Sequence, residues 1–187
     1  MSKKITLTVL KDHLKNLSKP QLEKEISFLF KTYPSVKEYY NANLGNENEV
    51  MEDYREQIVS EFSPTALVEY PKFRISKAKK ALSDFKKISK SPENIAELMV
   101  SYVEAGVVGT NMFGDIDEPF YDSMTSMYER TYKFIIKEGL LPLFSERLAE
   151  IVSNTEGIGW GFHDMLSDIH CEYNKAMKQM GESTNVE

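Results

Sequence analysis

Glu156-Gly157-Ile158-Gly159-Trp160-Gly161-Phe162-His163-Asp164-Met165-Leu166-Ser167-Asp168-Ile169-His170-Cys171-Glu172-Tyr173 is the stretch on which the fold class turns. Its alternating glycines admit two readings. A glycine-rich phosphate loop follows a β-strand and opens a helix inside a βαβ unit. A glycine joint between two helices needs no strand. The residues before it begin at Leu141-Pro142 and set Phe144, Leu148, Ile151 and Val152 at helical spacing, so no strand precedes the glycines. They read as a joint, with Gly157 ending one helix in a left-handed conformation and Trp160 packed into the turn. The stripe Phe162, Leu166, Ile169, Tyr173 and Met177 then predicts a last helix from about Trp160 to Met180.

Helical periodicity continues outward from there. Leu7, Leu10, Leu14 and Leu17 recur at i, i+3, i+7 and i+10, outweighing the short alternation of Ile5 to Val9. Ser18-Lys19-Pro20-Gln21 reads as a capping box with proline in the first turn, opening a helix whose buried stripe is Leu22, Ile26, Leu29 and Tyr33. Pro34 starts a short helix that Gly45 ends. Met51, Tyr54, Ile58 and Phe62 form the next apolar face, and Ile75, Ala78, Leu82 and Phe85 the one after it. Ser91-Pro92-Glu93 starts a weakly charged, central helix through Val103, followed by a glycine-punctuated loop from Gly106 to Asp117. Asp117-Glu118-Pro119 opens a long helix carrying Phe120, Met124, Met127, Tyr128, Thr131 and Ile135 to about Gly139.

The expectation is an all-α fold, a multi-helix bundle or a short solenoid-like helical-repeat array of antiparallel helices. One domain spans 1–180, with a candidate internal boundary near 63–74 where Pro64 and Pro71 bracket the chain, and 181–187 reads as a flexible tail.

Composition narrows the function classes. Hydrophobic residues make up 41% of the 187 and charged residues 28%, which is globular usage rather than disordered usage. A single cysteine excludes an intrachain disulfide and suits a reducing compartment. The opening residues lack the apolar run and small-residue cleavage site of a secretory signal, and no run approaches the roughly 18 apolar residues of a membrane span. A soluble, cytoplasmic protein without a membrane partner is the expectation. The net charge of −6 conceals an asymmetry, because Lys72 to Lys90 holds eight basic residues against Asp84 alone. That segment carries +7 and the remainder −13, so the chain as a whole repels polyanions while one helix attracts them.

Four places hold residues capable of chemistry. On the last helix, His163 and His170 are seven residues apart, roughly 10.5 Å along the axis, too far to share one zinc. Asp164 and Asp168 sit at i, i+4 and read as a solvated acidic face, with a metal or acid/base site as the sharper alternative. In the loop, Asp115, Asp117 and Glu118 offer hard oxygens, but the EF-hand pattern fails because its sixth and twelfth positions fall on Phe120 and Ser126. Acids there also cap the helix that follows. On the basic helix, Lys77, Lys79, Lys80, Lys86 and Lys87 cover the arc opposite the apolar stripe, a candidate polyanion-binding face without interleaved aromatics for base stacking. Cys171 lies beside His170 in sequence, yet adjacent helical residues diverge by about 100° and do not form a dyad.

The blocks Tyr102–Val107, Gly114–Tyr121 and Gly159–Asp164, with Ser76-Lys77-Ala78-Lys79-Lys80 and the leucine-rich opening helices, resemble a family of uncharacterised bacterial proteins carried as a domain of unknown function. The resemblance implies a small cytoplasmic bacterial protein and brings no activity with it.

The leading functional reading is a non-enzymatic helical module that binds an unidentified protein partner. Its candidate surface joins Asn111, Asp115, Asp117, Glu118, Trp160, His163 and Asp164, with Tyr39, Tyr40, Tyr121 and Tyr132 as exposed aromatic anchors. The alternatives are nucleic-acid or other polyanion binding through the basic helix, and a metal-assisted hydrolase using His163, Asp164 and Asp168. No catalytic residue, metal or cofactor is assigned, and the oligomeric state is left open.

Overall fold

A computed structural model describes residues 4–183, with side chains through residue 176. Among the described residues there are nine helices and no strand: α1 (Leu7–Lys15), α2 (Lys19–Thr32), α3 (Pro34–Leu44), α4 (Glu47–Val59), α5 (Ile75–Ile88), α6 (Pro92–Phe113), α7 (Glu118–Lys137), α8 (Leu141–Ser153) and α9 (Phe162–Ser183). The all-α reading therefore holds. Of the expected tail, 181–183 belong to the last turn of α9, and 184–187 lie outside the described residues.

The caps explain where the helices begin. Gln21 Oε1 accepts from the Ser18 backbone N–H at 2.8 Å, the half of the capping box that holds the entry to α2. Ser91 Oγ accepts from Asn94 N–H at 3.1 Å to open α6, and Asp117 Oδ1 accepts from Phe120 N–H at 2.9 Å to open α7. Gly139 turns the chain after α7 with φ +72°, a conformation that costs other residues about 1 kcal/mol or more.

One buried cluster runs through α4 to α9. Ile58, Phe62, Phe85, Leu98, Tyr102, Met124, Tyr128, Leu148 and Phe162 are among its members. α6 lies at the centre, packing on α4, α5, α7 and α8, which accounts for its low charge. The link between α4 and α5 is fastened at both ends. Phe73 N–H donates to Glu61 O at 2.7 Å, and the Arg74 guanidinium holds the buried Glu61 carboxylate with two bonds of 2.7 Å. Helices on both sides of this link bury residues in the same cluster.

Two expectations fail. The first concerns α6, which runs on through Gly106 and Gly109 to Phe113 instead of ending near Val103. These glycines lie inside the helix, where neighbours press close. A Cβ on Gly106 would overlap Met124 Sδ, and one on Gly109 would overlap the Phe62 carbonyl oxygen. The glycine signal reports close packing, not a loop. The second concerns the opening helices. The stripe Leu22, Ile26, Leu29 and Tyr33 was expected inside, yet neither α1 nor α2 has a buried residue. Among the described residues α2 packs substantially on α3 alone, and α1 packs substantially on nothing.

Candidate functional site

The junction between the end of α6, the start of α7 and the α8–α9 turn brings most of the predicted surface together. Because α6 extends, Asn111 is helical and only residues 114–117 form the loop. Asn111 Nδ2 donates to Asn154 O at 2.8 Å, tying α6 to the end of α8. Asp115 lies against Gly159, whose added Cβ would stand 3.3 Å from Asp115 Oδ2. Tyr121 organises the centre. Its hydroxyl sits 2.7 Å from Thr110 Oγ1 and 3.4 Å from Asp115 Oδ1, and its ring stacks with Trp160 and contacts Phe162 at centroid distances of 6.4 and 5.0 Å.

Tyr121 is consequently buried rather than an exposed anchor, and so is Tyr132. Tyr39 is exposed and Tyr40 half-buried. Trp160 adopts φ +62° and remains 56% exposed, so it covers the joint without being packed inside it. Asp117 and Glu118 stand at the positive end of α7, where Asp117 is the cap.

His163 carries a proton on Nδ1. Thr155 is fully buried and uses its one hydroxyl proton on Val152 O at 2.6 Å. The 3.0 Å contact between Thr155 Oγ1 and His163 Nδ1 therefore requires Nδ1 to donate. That bond anchors the ring to the α8–α9 turn. Asp164 and Asp168 are exposed, and among the described residues no three His, Cys, Asp or Glu side chains converge as ligands of one ion would.

His170 lies apart from His163, between α7 and α9. Tyr128 donates its hydroxyl proton to Leu148 O at 2.8 Å, so toward His170 it can only accept. Asn174 Nδ2 donates to His170 Nε2 at 2.8 Å, which leaves the ring proton on Nδ1, facing Tyr132 Oη at 2.6 Å and Tyr128 Oη at 3.2 Å. Every contact suits the neutral imidazole, and burial holds its pKa below the ordinary value. Burial likewise pushes the Tyr132 hydroxyl up to about 12.

The basic helix α5 presents a broken lysine array. Lys86 turns its ammonium group to Met99 Sδ at 3.1 Å and over the Phe134 ring, and burial, with a smaller contribution from Arg130, lowers its pKa. Lys80 and Lys87 both pair with Asp84. Lys77 and Lys79 remain exposed. Lys77, Lys80 and Lys87 border an open cavity of about 730 Å³ between α3, α4 and α5, which also holds Glu38 and Asp84, so cations do not dominate it.

The largest departure from expectation lies on α1, α2 and α3. Leu7 is 65% exposed, Phe28 60% and Leu44 81%, with Leu10, Ile26 and Tyr33 also on the surface. A shallow apolar groove of about 310 Å³ separates α2 from α3, lined by Ile26, Phe30, Tyr40 and Leu44. Of these side chains, sequence reasoning places Ile26 and Tyr33 in the core, because amphipathic spacing reports an apolar face without saying what covers it.

A family model for a family of unknown function, DUF6155, matches residues 1–174, and the chain belongs to that family. No curated protein and no solved structure matches it. Among the described residues no helix is long and apolar enough to cross a membrane.

Proposed function

Within this family of unknown function, we propose that the chain acts as a helical protein-interaction module whose docking face is the apolar side of α1, α2 and α3. The observation that carries the reading is α1 itself. It is nine residues long, has no buried residue and packs substantially on no other element. Isolated helices shorter than about 12–15 residues are marginal in water, and most helices are stabilised by covering an apolar face. An amphipathic α1 with Leu7 and Leu10 exposed is therefore suited to a partner that covers it. The same holds for α2, whose Phe28, Leu29 and Tyr33 stay at the surface. Exposed apolar side chains gathered in patches mark interaction sites more often than ordinary surface does.

The α6–α7 and α8–α9 junction supports the module reading less, since its hydrogen bonds are made internally and Tyr121 is buried. The polyanion reading is weakened by the inward turn of Lys86 and the pairing of Lys80 and Lys87. The hydrolase reading draws no support from the geometry of His163, whose Nδ1 is held by Thr155.

Affinity capture with full-length baits tests the proposal. A bait carrying Leu10→Glu and Leu29→Glu is expected to lose the associations of the wild type, whereas an Asp115/Asp117/His163 triple alanine bait keeps them. Identical associations from the wild-type and Leu10/Leu29 baits would refute it.

A further inference from the structure

We propose that the groove between the C-terminal ends of α6 and α8 binds a small organic cation with an apolar body, an alkyl- or arylalkylammonium ion. The groove is separate from the apolar side of α1, α2 and α3, and the proposal does not depend on the reading of that side. Direction, charge and shape converge on it.

Direction comes from two pairs of contacts. Arg147 Nε donates to Glu104 Oε1 at 2.8 Å, and seven residues further along both helices Asn111 Nδ2 donates to Asn154 O at 2.8 Å. Equal steps along both helices mean that α6 and α8 run parallel and finish side by side. A helix C-terminus is the negative end of the peptide dipole, and lysine or arginine in the last turn complements it. Neither α6 nor α8 has a basic residue there. Two negative helix ends therefore meet at the groove.

Charge adds to them. Glu150 lines the groove, is exposed, and makes no ion pair among the described residues. Glu104 lines it too and shares the Arg147 guanidinium with Glu97, so one cation faces two carboxylates and cannot neutralise both. Residues 104–129 and 148–174 contain no lysine or arginine, which keeps the surrounding field negative.

Shape selects the kind of cation. The groove encloses about 490 Å³, within the range of small-molecule sites. Buried Val107 and Ile151 form its floor, while Val108 and Met112 stand exposed at its rim. An ammonium group at Glu150 would lay its hydrocarbon on that floor and remove both from water. A bare metal ion needs several converging hard oxygens, and among the described residues no three His, Cys, Asp or Glu side chains converge in that way. A carboxylate or phosphate would face Glu150 and be repelled.

Methyl-resolved NMR of the full chain, with calorimetry for affinity, provides the test. Hexylammonium is expected to shift the methyl signals of Val107, Met112 and Ile151. Hexanol and hexanoate, which keep the body and lose the positive charge, should bind at least about tenfold more weakly, as loss of a charged hydrogen bond implies. Glu150→Gln should weaken hexylammonium by a similar factor, and Val108→Lys should abolish its binding. Glu172→Gln, on α9, should leave it unchanged. Glu150 and Val108 are both exposed, so these variants should keep the wild-type helical circular dichroism. Hexylammonium that shifts none of the three methyl groups would overturn the proposal, as would equal affinity for hexanol or hexanoate, or full affinity in Glu150→Gln. Shifts confined to the methyl groups of Leu10 and Leu29 would also overturn it, placing the amphiphile on α1 and α2 and leaving the docking reading of that face intact.

Discussion

Gly106 and Gly109 stand one helical turn apart on α6 and differ in what they touch. The obstacle at Gly106 is the end of the Met124 side chain, which can swing aside; at Gly109 it is the Phe62 main-chain carbonyl, which cannot. Alanine within a helix gains about 1 kcal/mol over glycine where space permits. Overpacking costs typically 1–3 kcal/mol. Gly106→Ala is thus expected near neutral or mildly destabilising in urea denaturation, and Gly109→Ala clearly destabilising by about 2 kcal/mol. Equal effects, or stabilisation by both, would show that α6 is less closely packed than described. His170 gives a second residue-scale expectation. Its folded pKa is lowered, so the unfolded chain binds its proton first, and stability declines as pH falls below the ordinary histidine value of about 6.5. The contribution is fully present above that value. His170→Gln should flatten the stability profile between about pH 7 and 5 relative to wild type, and an unchanged slope would contradict the neutral network with Tyr132 and Asn174. The glycines were visible in the sequence but their role was not, because a glycine that breaks a helix and one that admits a neighbour are identical until the neighbour is known. The Thr155–His163 and Tyr132–His170 contacts join residues through tertiary packing, which spacing along a helix does not encode.

Among the elements, α4 to α9 and α1 to α2 have similar amphipathic patterns and opposite fates. The apolar faces of α4, α5, α7, α8 and α9 were read from periodicity and are the faces that enter the core, as Ile58, Phe85, Tyr128, Leu148 and Phe162 attest. Their start signals, Ser91-Pro92 and Asp117-Glu118-Pro119, also act as read, since a cap depends on only three or four local residues. α1 and α2 satisfy the same rules, and the capping interaction of Ser18 and Gln21 forms, yet their stripes stay outside. This division has a thermodynamic consequence. Leu148→Ala should lower the stability of the core by about 3–5 kcal/mol, as truncation of a fully buried leucine does. Leu10→Ala, at dilute protein, should change it by less than about 0.5 kcal/mol. Chemical denaturation followed by the near-ultraviolet signal of the buried tyrosines distinguishes the two. A comparable loss from both would mean that α1 is built into the core.

For the whole molecule, the arrangement is a central α6 wrapped by α4, α5, α7 and α8, with α9 closing on α7 and α8, and with α1 and α2 outside that cluster. The all-helical class was legible because one fact, the lack of a strand before Gly157, removed the main competing architecture. The candidate surface was only partly legible. Loop acids and a glycine turn attract notice in a sequence, and the structure does bring Asp115 beside Gly159, but most polar groups there have internal partners. The unsatisfied feature is apolar and lies at the opposite end of the chain. Amide hydrogen exchange along α1 in the full-length protein tests its significance most directly. In the purified chain the amides of Leu10 to Leu14 should exchange far faster than those of α6, and in the complex recovered by affinity capture they should be protected. Strong protection of α1 in the purified chain, or rates in the captured complex no slower than in the purified chain, would contradict the claim that α1 is a helix held by a partner.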